Sequence, residues 1–409
     1  MSLLDRLAEP AVWEAFYDYK CARESPASVQ KALRTFIDAR AYLPVCTAIA
    51  AGEPFALPRR AVISKLSTGK KRVVYTYPEP ENTVLKLLTH LLLRRYDGLF
   101  SPNLYSFRPN CTAKDAVRRL TRMDGVWDMA VYQADVHDYF NSIPVERLLP
   151  MLEEALAADG RLFAFLRSLL TEPRVLDHGE IVCEPKGVMA GTPLSAFYAN
   201  LYLRALDRRF LDRGVPYARY SDDIILFAPD TAGAETLAAE VRTAIEEMGL
   251  RLNPDKEHFS PPGSGWTFLG FRCAPDGTDI SPVTVEKLKK KMRRKARALR
   301  RWQQRNDLPP EKAAAAFLRV FRRKLLEGGG AHMLTWSRWF FPVITTTESL
   351  HRIDLYAQDC LRWLLSGSRT KARYAVRYAR LKELGYVSLV HAYYHERADR
   401  PEDEKEWEK

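Results

Sequence analysis

The sequence has few of the features that mark secreted, disulfide-bonded or membrane-spanning proteins. Six cysteines are scattered among 409 residues and form no C-x-x-C pair or zinc-ligand spacing, so neither a disulfide framework nor a structural zinc is indicated. The first residues carry acids and lack the basic-then-apolar pattern of a signal peptide. No apolar run reaches the roughly 18 residues that a membrane span needs. We expect a soluble, cytoplasmic protein with reduced thiols and no membrane partner.

Acidic residues are too few to balance the basic ones. The formal net charge is +12, and residues 285–305 alone hold eleven Lys or Arg against one Glu. The rest of the chain is therefore close to neutral. Such a concentrated excess predicts an anionic partner, with nucleic acid first and a membrane surface second. Apolar residues recur on one face of this segment, which predicts a basic amphipathic helix.

Strand and helix patterns mix irregularly in the first two thirds of the chain, and strand patterns nearly vanish beyond Ser281. This order predicts the α+β class, with helices packed on an antiparallel sheet. We expect a helical extension over residues 1–60, a main domain over 61–275, an all-helical region over 276–396 and a charged tail over 397–409.

Local patterns place several elements within this plan. β-branched or alternating segments predict a hairpin over 61–77 and strands over 129–135, 216–220, 224–228 and 266–271. Apolar spacing predicts one long helix over 193–213 and a buried stripe near residues 350–364. Helical spacing also predicts that three tryptophans of the last third pack in a core, namely Trp336, Trp339 and Trp363.

Three aspartates stand where a two-metal site would need them. The sequence YSDD, residues 220–223, joins two predicted strands, and Asp135 ends another. Joining a nucleoside triphosphate to a 3′-hydroxyl uses two divalent ions about 4 Å apart, and Mg²⁺ prefers oxygen ligands on a rigid support. Taken alone, an Asp-Asp dipeptide is also common in solvated turns. The third acid favours the metal site.

Seven segments resemble, in the same order, the motifs of bacterial reverse transcriptases of the lineage that includes the group II intron enzymes. They are ISKLSTGKKR (63–72), YSFRPN (105–110), ADVHDYFNSI (134–143), GVMAGTPLSAFYANLYLRALD (187–207), RYSDDIILF (219–227), LNPDK (252–256) and FLGF (268–271). The resemblance implies a right-hand polymerase with fingers and palm over 61–275 and a helical thumb after them. It also implies RNA-directed DNA polymerase activity.

The resemblance gives roles to individual residues of the expected active site. Asp135 and Asp222 become the principal ligands of two Mg²⁺ ions, with Mn²⁺ as the alternative, and Asp223 becomes a less direct third ligand. Val136 adds a backbone carbonyl. Lys256 becomes a general acid for the leaving pyrophosphate, and an ordinary solvated lysine is the equal alternative.

Other implied roles concern the nucleotide and the template. Lys65 and Arg72 resemble cations that bind the triphosphate. Phe140 stands where the family keeps a bulky gate against the ribose 2′-hydroxyl, with plain core packing as the alternative. The template-contacting motif departs from the family, because Met189-Ala190-Gly191 replaces the usual Pro-Gln-Gly. Ala190 offers a smaller, apolar contact than Gln would.

The last third of the chain resembles compact reverse transcriptases of the antiviral-defence group, which copy a dedicated noncoding RNA. The implied partners are a cognate structured RNA template, a DNA or RNA primer and deoxynucleoside triphosphates. The oligomeric state stays open. The alternatives are an enzyme of another retroelement (group II intron, retron or diversity-generating), an RNA-binding maturase or scaffold, and an RNA-directed RNA polymerase.

Overall fold

The computed structural model describes residues 2–22, 25–64, 71–184, 187–327 and 335–398. The chain divides into two compact units. The first is Met1–Ala22 with Ser28–Ser264, and the second is Gly265–Lys409 with the short segment Arg23–Ala27. The division therefore falls at Gly265, whereas the sequence patterns place it at residue 276.

The first unit contains helices and strands in a mixed order. Its helices are α1 (Pro10–Ala22), α2 (Ala27–Asp38), α3 (Leu43–Ala51), α4 (Glu81–Arg95), α5 (Ala113–Thr121), α6 (Tyr139–Ser142), α7 (Val145–Ala155), α8 (Gly160–Thr171), α9 (Ser195–Tyr202), α10 (Arg204–Asp212) and α11 (Thr231–Glu247). Its strands are β1 (Arg59–Ser64), β2 (Lys71–Thr76), β3 (Ala130–Asp135), β4 (Arg174–Asp177), β5 (Glu180–Cys183), β6 (Tyr217–Tyr220), β7 (Asp223–Ala228) and β8 (His258–Ser260).

These strands form two sheets. One has the order β6-β7-β3-β8, and all its named pairs are antiparallel. The other has the order β2-β1-β4-β5, in which β1 and β2 form the expected antiparallel pair. The turn expected around residues 67–69 lies outside the described residues. β1 and β4 pair in parallel at Arg59 and Leu176, so this second sheet is mixed. The α+β class is confirmed.

A large apolar core runs through the first unit, and a smaller cluster of Tyr75, Val175 and Met189 lies beside it. The large core includes Trp13 of α1, Leu88 of α4, Tyr132 of β3 and Phe197 of α9, all of which are fully buried. The N-terminal helices thus pack on the same core as the central sheet, because their apolar stripes need a surface to cover. Residues before β1 share this core with the rest of the unit.

The prediction of one long helix over residues 193–213 is wrong in one respect, because this segment forms two helices, α9 and α10. Leu203 separates them, with φ −92° and ψ 12°. Beyond the break, α10 turns the carboxylate of Asp207 into the interior, where it is completely buried. The break therefore matters for the site described below.

The second unit begins with a three-stranded sheet of order β11-β10-β9. Its strands are β9 (Trp266–Phe268), β10 (Phe271–Ala274) and β11 (Gly277–Ile280). The sequence predicts one strand over 266–271, but Leu269 and Gly270 have φ values of 51° and 91° and turn the chain back. The unit is therefore not all-helical from residue 276.

Helices make up the remainder of the second unit. They are α12 (Pro282–Arg305), α13 (Pro310–Arg322), the π-helical turn Arg323–Glu327, α14 (Trp336–Phe340), α15 (Glu348–Ser366), α16 (Tyr378–Glu383) and α17 (Leu389–Ala398). α12 is the basic amphipathic helix that the sequence predicts, and its apolar residues Val285, Met292, Ala296 and Leu299 are buried. Among the described residues, no helix is both long and apolar enough to cross a membrane.

The core prediction for three tryptophans of this unit is wrong. Trp336, Trp339 and Trp363 are half-buried. In α15 the buried face is filled by the predicted stripe Leu350, Ile353, Ala357, Leu361 and Leu364. Trp363 lies two residues after Leu361, which is about 200° around the helix axis, and so points away from that face.

Candidate active site

Three acidic residues meet at one end of the β6-β7-β3-β8 sheet. Asp135 ends β3, and Asp223 begins β7 directly opposite it in the antiparallel register. Asp222 lies in the turn between β6 and β7, and its carbonyl accepts a hydrogen bond from the backbone N–H of Val136 at 3.1 Å. Carboxylate oxygens of Asp135, Asp222 and Asp223 lie within 4.8 Å of one another. The structure brings together the acids that the sequence singles out.

Burial and repulsion by neighbouring carboxylates disfavour the charged forms of Asp222 and Asp223. Burial raises the pKa of Asp223 to about 7, and the nearby carboxylates of Asp222 and Asp135 add to the shift. Burial likewise raises the pKa of Asp222, with Asp135 as the second cause. Carboxylates held close together in a poorly hydrated place need a cation to stay ionised.

Lys256 provides one such cation. It ends the short 3₁₀ turn Pro254–Lys256, and its Nζ forms an ion pair with Oδ2 of Asp135. The backbone carbonyl of Asp135 accepts a hydrogen bond from Asn253 at 2.8 Å, which holds this turn against the end of β3. The structure therefore places Lys256 within reach of the acidic cluster.

The turn that carries Asp222 has a strained backbone. Ser221 has φ 61°, a left-handed conformation that is uncommon for residues other than glycine. Its N–H donates to Oγ of Ser106 at 2.8 Å, and its carbonyl accepts from Nη1 of Arg219 at 3.1 Å. Both sides of the strained residue are thus held by buried polar groups, which is how such a conformation persists.

Arg219 and Asp207 form a completely buried ion pair beneath this turn. Both side chains are 0% exposed. Nε and Nη2 of Arg219 donate to the two carboxylate oxygens of Asp207 at 2.7 and 2.5 Å, and the hydroxyl of Tyr217 donates to the same carboxylate at 2.8 Å. Burial alone would lower the pKa of Arg219, but the Asp207 carboxylate outweighs it and raises the pKa. The buried guanidinium of Arg219 therefore stays charged.

Ser106 and Asn200 extend this network to neighbouring elements. Oγ of Ser106 donates to Oδ1 of Asn200 at 3.2 Å, and Nδ2 of Asn200 donates to the Ser106 carbonyl at 2.9 Å. The segment before α5, helix α9, helix α10 and strand β6 are thus joined under the turn. We refer to Ser106, Asn200, Asp207 and Arg219 as the buried polar network.

Sequence reasoning gave none of these four residues a role, although each lies inside a quoted motif. Arg219 is the one residue of this network whose sequence position indicates a buried partner. It sits in a strand of apolar neighbours that ends at the YSDD turn, and a buried arginine requires a buried acid. The sequence could not say which acid, because Asp207 is twelve residues away and reaches the strand only through the break at Leu203.

Phe140 lies in α6, five residues after Asp135, and is half-buried. Its ring meets the ring of Phe107 edge-on, with a centroid distance of 6.3 Å. Its carbonyl accepts a hydrogen bond from Val188 at 2.9 Å. Gly187, with φ 35°, comes so close to this carbonyl that any side chain there would collide with it. The backbone at Phe140 is therefore fixed by the segment that holds Gly187 and Val188.

Ala190 and Gly191 connect helix α6 with strand β2. The N–H of Ala190 donates to Oδ1 of Asn141 at 3.1 Å, and its carbonyl accepts from Tyr75 of β2 at 2.8 Å. Gly191 has φ 101°, and a Cβ there would lie 2.9 Å from the Tyr75 carbonyl. Only glycine fits this close approach. The side chain of Ala190 is 1% exposed and faces the protein interior.

The expected triphosphate-binding cations are placed only in part. Arg72 lies on β2, opposite Ile63 of β1, and its side chain is exposed. Lys65 lies outside the described residues. Val136 follows β3 and forms an antiparallel bridge with Leu252, so its backbone is fixed beside the acids.

The residues present fit a site for two divalent ions. The donor set is three carboxylates, which suits hard cations such as Mg²⁺ or Mn²⁺. The oxygens are fixed by strand pairing and by a turn held from below. Burial first, and the negative charge of the neighbouring carboxylates second, raise the pKa of Asp222 and of Asp223. Two ions bound about 4 Å apart would balance that charge.

Comparison with solved structures finds likeness to telomerases. Apo telomerase from Candida tropicalis truncated from its C-terminal domain shares 12% identity over 55% of this chain and 55% of that chain, with TM-score 0.44. Telomerase from Candida albicans in complex with the TWJ fragment of telomeric RNA shares 12% over 87% and 71%, with TM-score 0.44. Apo telomerase from Candida tropicalis shares 10% over 81% and 60%, with TM-score 0.47. This chain thus spans about half of the first of these proteins.

No curated protein matches the chain in sequence. The family model described as reverse transcriptase (RNA-dependent DNA polymerase) matches residues 63–273. This region is more than half of the chain, and it contains the acidic cluster, the strained turn and the buried polar network. The chain belongs to the reverse transcriptase family.

Proposed function

We propose that this chain is an RNA-directed DNA polymerase that extends a primer 3′-hydroxyl by two-metal nucleotidyl transfer. The observation that carries the proposal is the meeting of Asp135, Asp222 and Asp223 within 4.8 Å at one sheet end, in a chain of this family. A protein that only bound RNA would have no need to hold three repelling acids together.

The acids would bind two Mg²⁺ or Mn²⁺ ions, together with the backbone carbonyl of Val136. Bound ions would activate the primer hydroxyl and stabilise the charge on the leaving phosphates. The ion pair with Asp135 places the ammonium of Lys256 beside this site. From there it is proposed to donate a proton to the leaving pyrophosphate. Lys65 and Arg72 are the proposed cations for the triphosphate.

Phe140 is the proposed gate that selects deoxynucleotides. A ring cannot accept or donate a hydrogen bond to a 2′-hydroxyl, and its volume would exclude that hydroxyl. The contacts that fix the backbone of Phe140 support a rigid gate. Phe140→Ala should raise ribonucleotide incorporation relative to deoxynucleotide incorporation, which is measured by primer extension with each triphosphate set. An unchanged ratio would contradict the gate, whereas a wild type that prefers ribonucleotides would favour an RNA-directed RNA polymerase.

The proposed template is a cognate structured noncoding RNA, copied from a DNA or RNA primer in the cytoplasm as part of antiphage defence. What supports this finer proposal is the resemblance of the last third of the chain to compact defence enzymes. A role in another retroelement, such as a group II intron, a retron or a diversity-generating element, is the alternative. The identity of the bound RNA separates these roles.

The test is to purify the protein with its bound RNA, sequence that RNA, and add Mg²⁺ with labelled deoxynucleotides. We expect one dominant RNA and a complementary DNA product. Asp222→Ala should lower product formation by about a thousandfold or more while RNA binding remains. Loss of a proposed metal ligand would remove about 4 kcal/mol of transition-state stabilisation, and each 1.4 kcal/mol costs about tenfold in rate.

The matched control is Asp212→Ala, which removes an exposed acid of the same unit and should leave synthesis unchanged. Dominant RNA without synthesis in the wild type would favour the maturase or scaffold alternative. Heterogeneous RNA with normal synthesis would keep the polymerase and contradict the dedicated template.

A further inference from the structure

A cavity of about 310 Å³ lies within the second unit, on the surface shared by α12, α15 and the segment after α15. Its lining includes Arg293 of α12, Tyr356, Asp359 and Trp363 of α15, and Arg369 and Arg373 beyond it. Three guanidinium groups face one carboxylate, so the cavity is positively charged. Its size is in the range of small-ligand sites, which begin at roughly 300 Å³.

Arg369 is the most available cation of this cavity. Its guanidinium lies over the indole of Trp363, 4.3 Å from the ring centroid. Within the described part of the chain, this guanidinium makes no hydrogen bond or ion pair, and the indole N–H of Trp363 has no acceptor. The side chain of Arg369 is exposed. Unused donors stacked on a ring suit a ligand that offers both acceptors and a flat surface.

Arg293 adds a second available cation. Its Nε donates to the hydroxyl of Tyr356 at 2.9 Å, which leaves the Nη atoms without a protein acceptor in the described ranges. The contact fixes the guanidinium at the cavity wall. Arginine held in this way presents a planar pair of donors that matches a phosphate group.

Arg373 differs from these two residues because its donors are used. Its Nη1 donates to the carbonyls of Arg369 and Thr370 at 2.8 and 3.1 Å, its Nη2 donates to the hydroxyl of Tyr374 at 2.9 Å, and its Nε contacts Asp359 at 3.4 Å. Arg373 therefore holds the segment that carries Arg369 in place. Among the described residues, the cavity thus has one supporting arginine and two arginines with unused donors.

We propose that this cavity binds an unpaired nucleotide of a single-stranded nucleic acid. The base stacks on the Arg369–Trp363 pair, since bases stack on guanidinium planes as well as on aromatic rings. The phosphate contacts Arg293. An apolar ligand would leave the guanidinium donors unsatisfied, and a cation would be repelled. The site is separate from the acidic cluster and goes beyond the proposed polymerase function.

Photocross-linking of the full-length protein tests the proposal, with a ten-nucleotide RNA and its DNA equivalent that each carry one 5-iodouracil, without Mg²⁺. We expect mass spectrometry to find the adduct on Trp363 or Tyr356. Arg369→Ala should reduce this adduct by about tenfold, which is the effect of losing one stacked base. Arg369→Lys should restore only part of it, because an ammonium keeps the charge but not the plane.

Arg377→Ala is the matched control, because it removes an exposed arginine of the same unit that does not line the cavity. Its adduct should equal that of the wild type. An adduct with the RNA or the DNA supports the proposal, and an adduct with free 5-iodouridine monophosphate alone would overturn it. Adducts found only elsewhere, or an equal loss in Arg369→Ala and Arg377→Ala, would overturn the proposal. Asp222→Ala should keep the adduct. Failure of the cavity proposal can therefore be distinguished from failure of the polymerase proposal.

Discussion

The two units hold charges of opposite sign in opposite ways. In the first unit, Asp135, Asp222 and Asp223 are fixed by strand pairing and by a turn with a buried ion pair beneath it. In the second unit, most cations of α12 are exposed on one long helix, and Arg369 rests on a single indole. One arrangement is rigid and poorly hydrated, and the other is open to water.

The difference matches what each proposed partner requires. Two small ions need ligand atoms at defined positions, so the acids must be held against their own repulsion. A nucleic acid backbone is a long row of charges, and exposed cations bind it without a fixed geometry. We therefore expect the acidic site to respond to pH and to the loss of buried partners, and the basic surfaces to respond to salt.

The largest effect should come from the buried polar network. Asp207→Ala leaves the charge of Arg219 buried and unpaired, so it should lower the free energy of unfolding by about 3–5 kcal/mol. Chemical denaturation measures this change. Glu154→Ala is the control, because it breaks the pair between Arg204 and Glu154, whose carboxylate is 71% exposed, and should cost less than about 1 kcal/mol.

A double variant separates stability from positioning. Asp207→Leu with Arg219→Met removes both charges, so it should recover much of the lost stability. Polymerase activity should stay low, because the Ser221 carbonyl no longer has the donor that holds the strained turn. Full activity in a stable double variant would show that the network does not position Asp222.

The next effect concerns pH. The pKa of Asp223 is about 7 in the folded protein and near 3.8 without the fold, so the folded state holds a proton that the unfolded state releases. This contribution to stability is fully present below pH 3.8 and is lost as pH rises to about 7. In EDTA, Asp223→Asn should therefore become more stable than the wild type as pH rises from 5 to 8.

Added Mg²⁺ should reverse this trend, since the ion competes with the proton for the same carboxylates. The rise in melting temperature on adding Mg²⁺ should be larger at pH 8 than at pH 6 in the wild type, and small in Asp223→Asn. Thermal melts with and without EDTA measure both quantities. A difference in melting temperature between the wild type and Asp223→Asn that does not change with pH would contradict the inference that burial and repulsion raise the pKa of Asp223.

The smallest change in stability should accompany loss of charge on α12. Replacing the exposed Lys290, Arg294 and Arg297 by Gln should change the free energy of unfolding by less than about 0.5 kcal/mol. Affinity for an RNA–DNA duplex should fall, and the slope of log affinity against log salt should decrease by about 0.9 for each phosphate that the protein no longer neutralises. Fluorescence anisotropy at several salt concentrations measures the slope.

The control is a triple variant that replaces three exposed basic residues of the first unit by Gln. Lys31, Arg95 and Arg167 are exposed cations of the first unit, and their replacement by Gln should leave the slope nearly unchanged. Equal slopes for the two triple variants would mean that net charge matters rather than the position of the charges on α12.

Much of the chemistry could be predicted because it lies in short stretches of sequence. The acids end predicted strands, and the strand ends of one sheet edge meet in space, so Asp135 and the YSDD turn could be paired in advance. The basic residues of α12 could be assigned to one helix because eleven Lys or Arg lie within residues 285–305. Val285, Met292 and Leu299 mark its buried face by spacing alone.

Other features depend on distant contacts and could not be predicted. The sequence patterns do not predict β10 and β11 as separate strands, because each is only four residues long and contains polar positions. The core prediction for Trp363 was wrong because helical spacing does not say which face the neighbouring helices cover.

The sequence by itself determined the family, the three acids of the candidate metal site, the order of the motifs and the basic helix, because each is written in local residue types and spacing. Only the tertiary structure decided that Asp207 pairs with Arg219 under the turn that carries Asp222, that Ala190 faces the interior, and that Arg369 covers Trp363 at the edge of a cavity. These are contacts between segments separated by a helix break, by another sheet or by a loop. Their energies depend on burial and distance, which the chain acquires only when it packs.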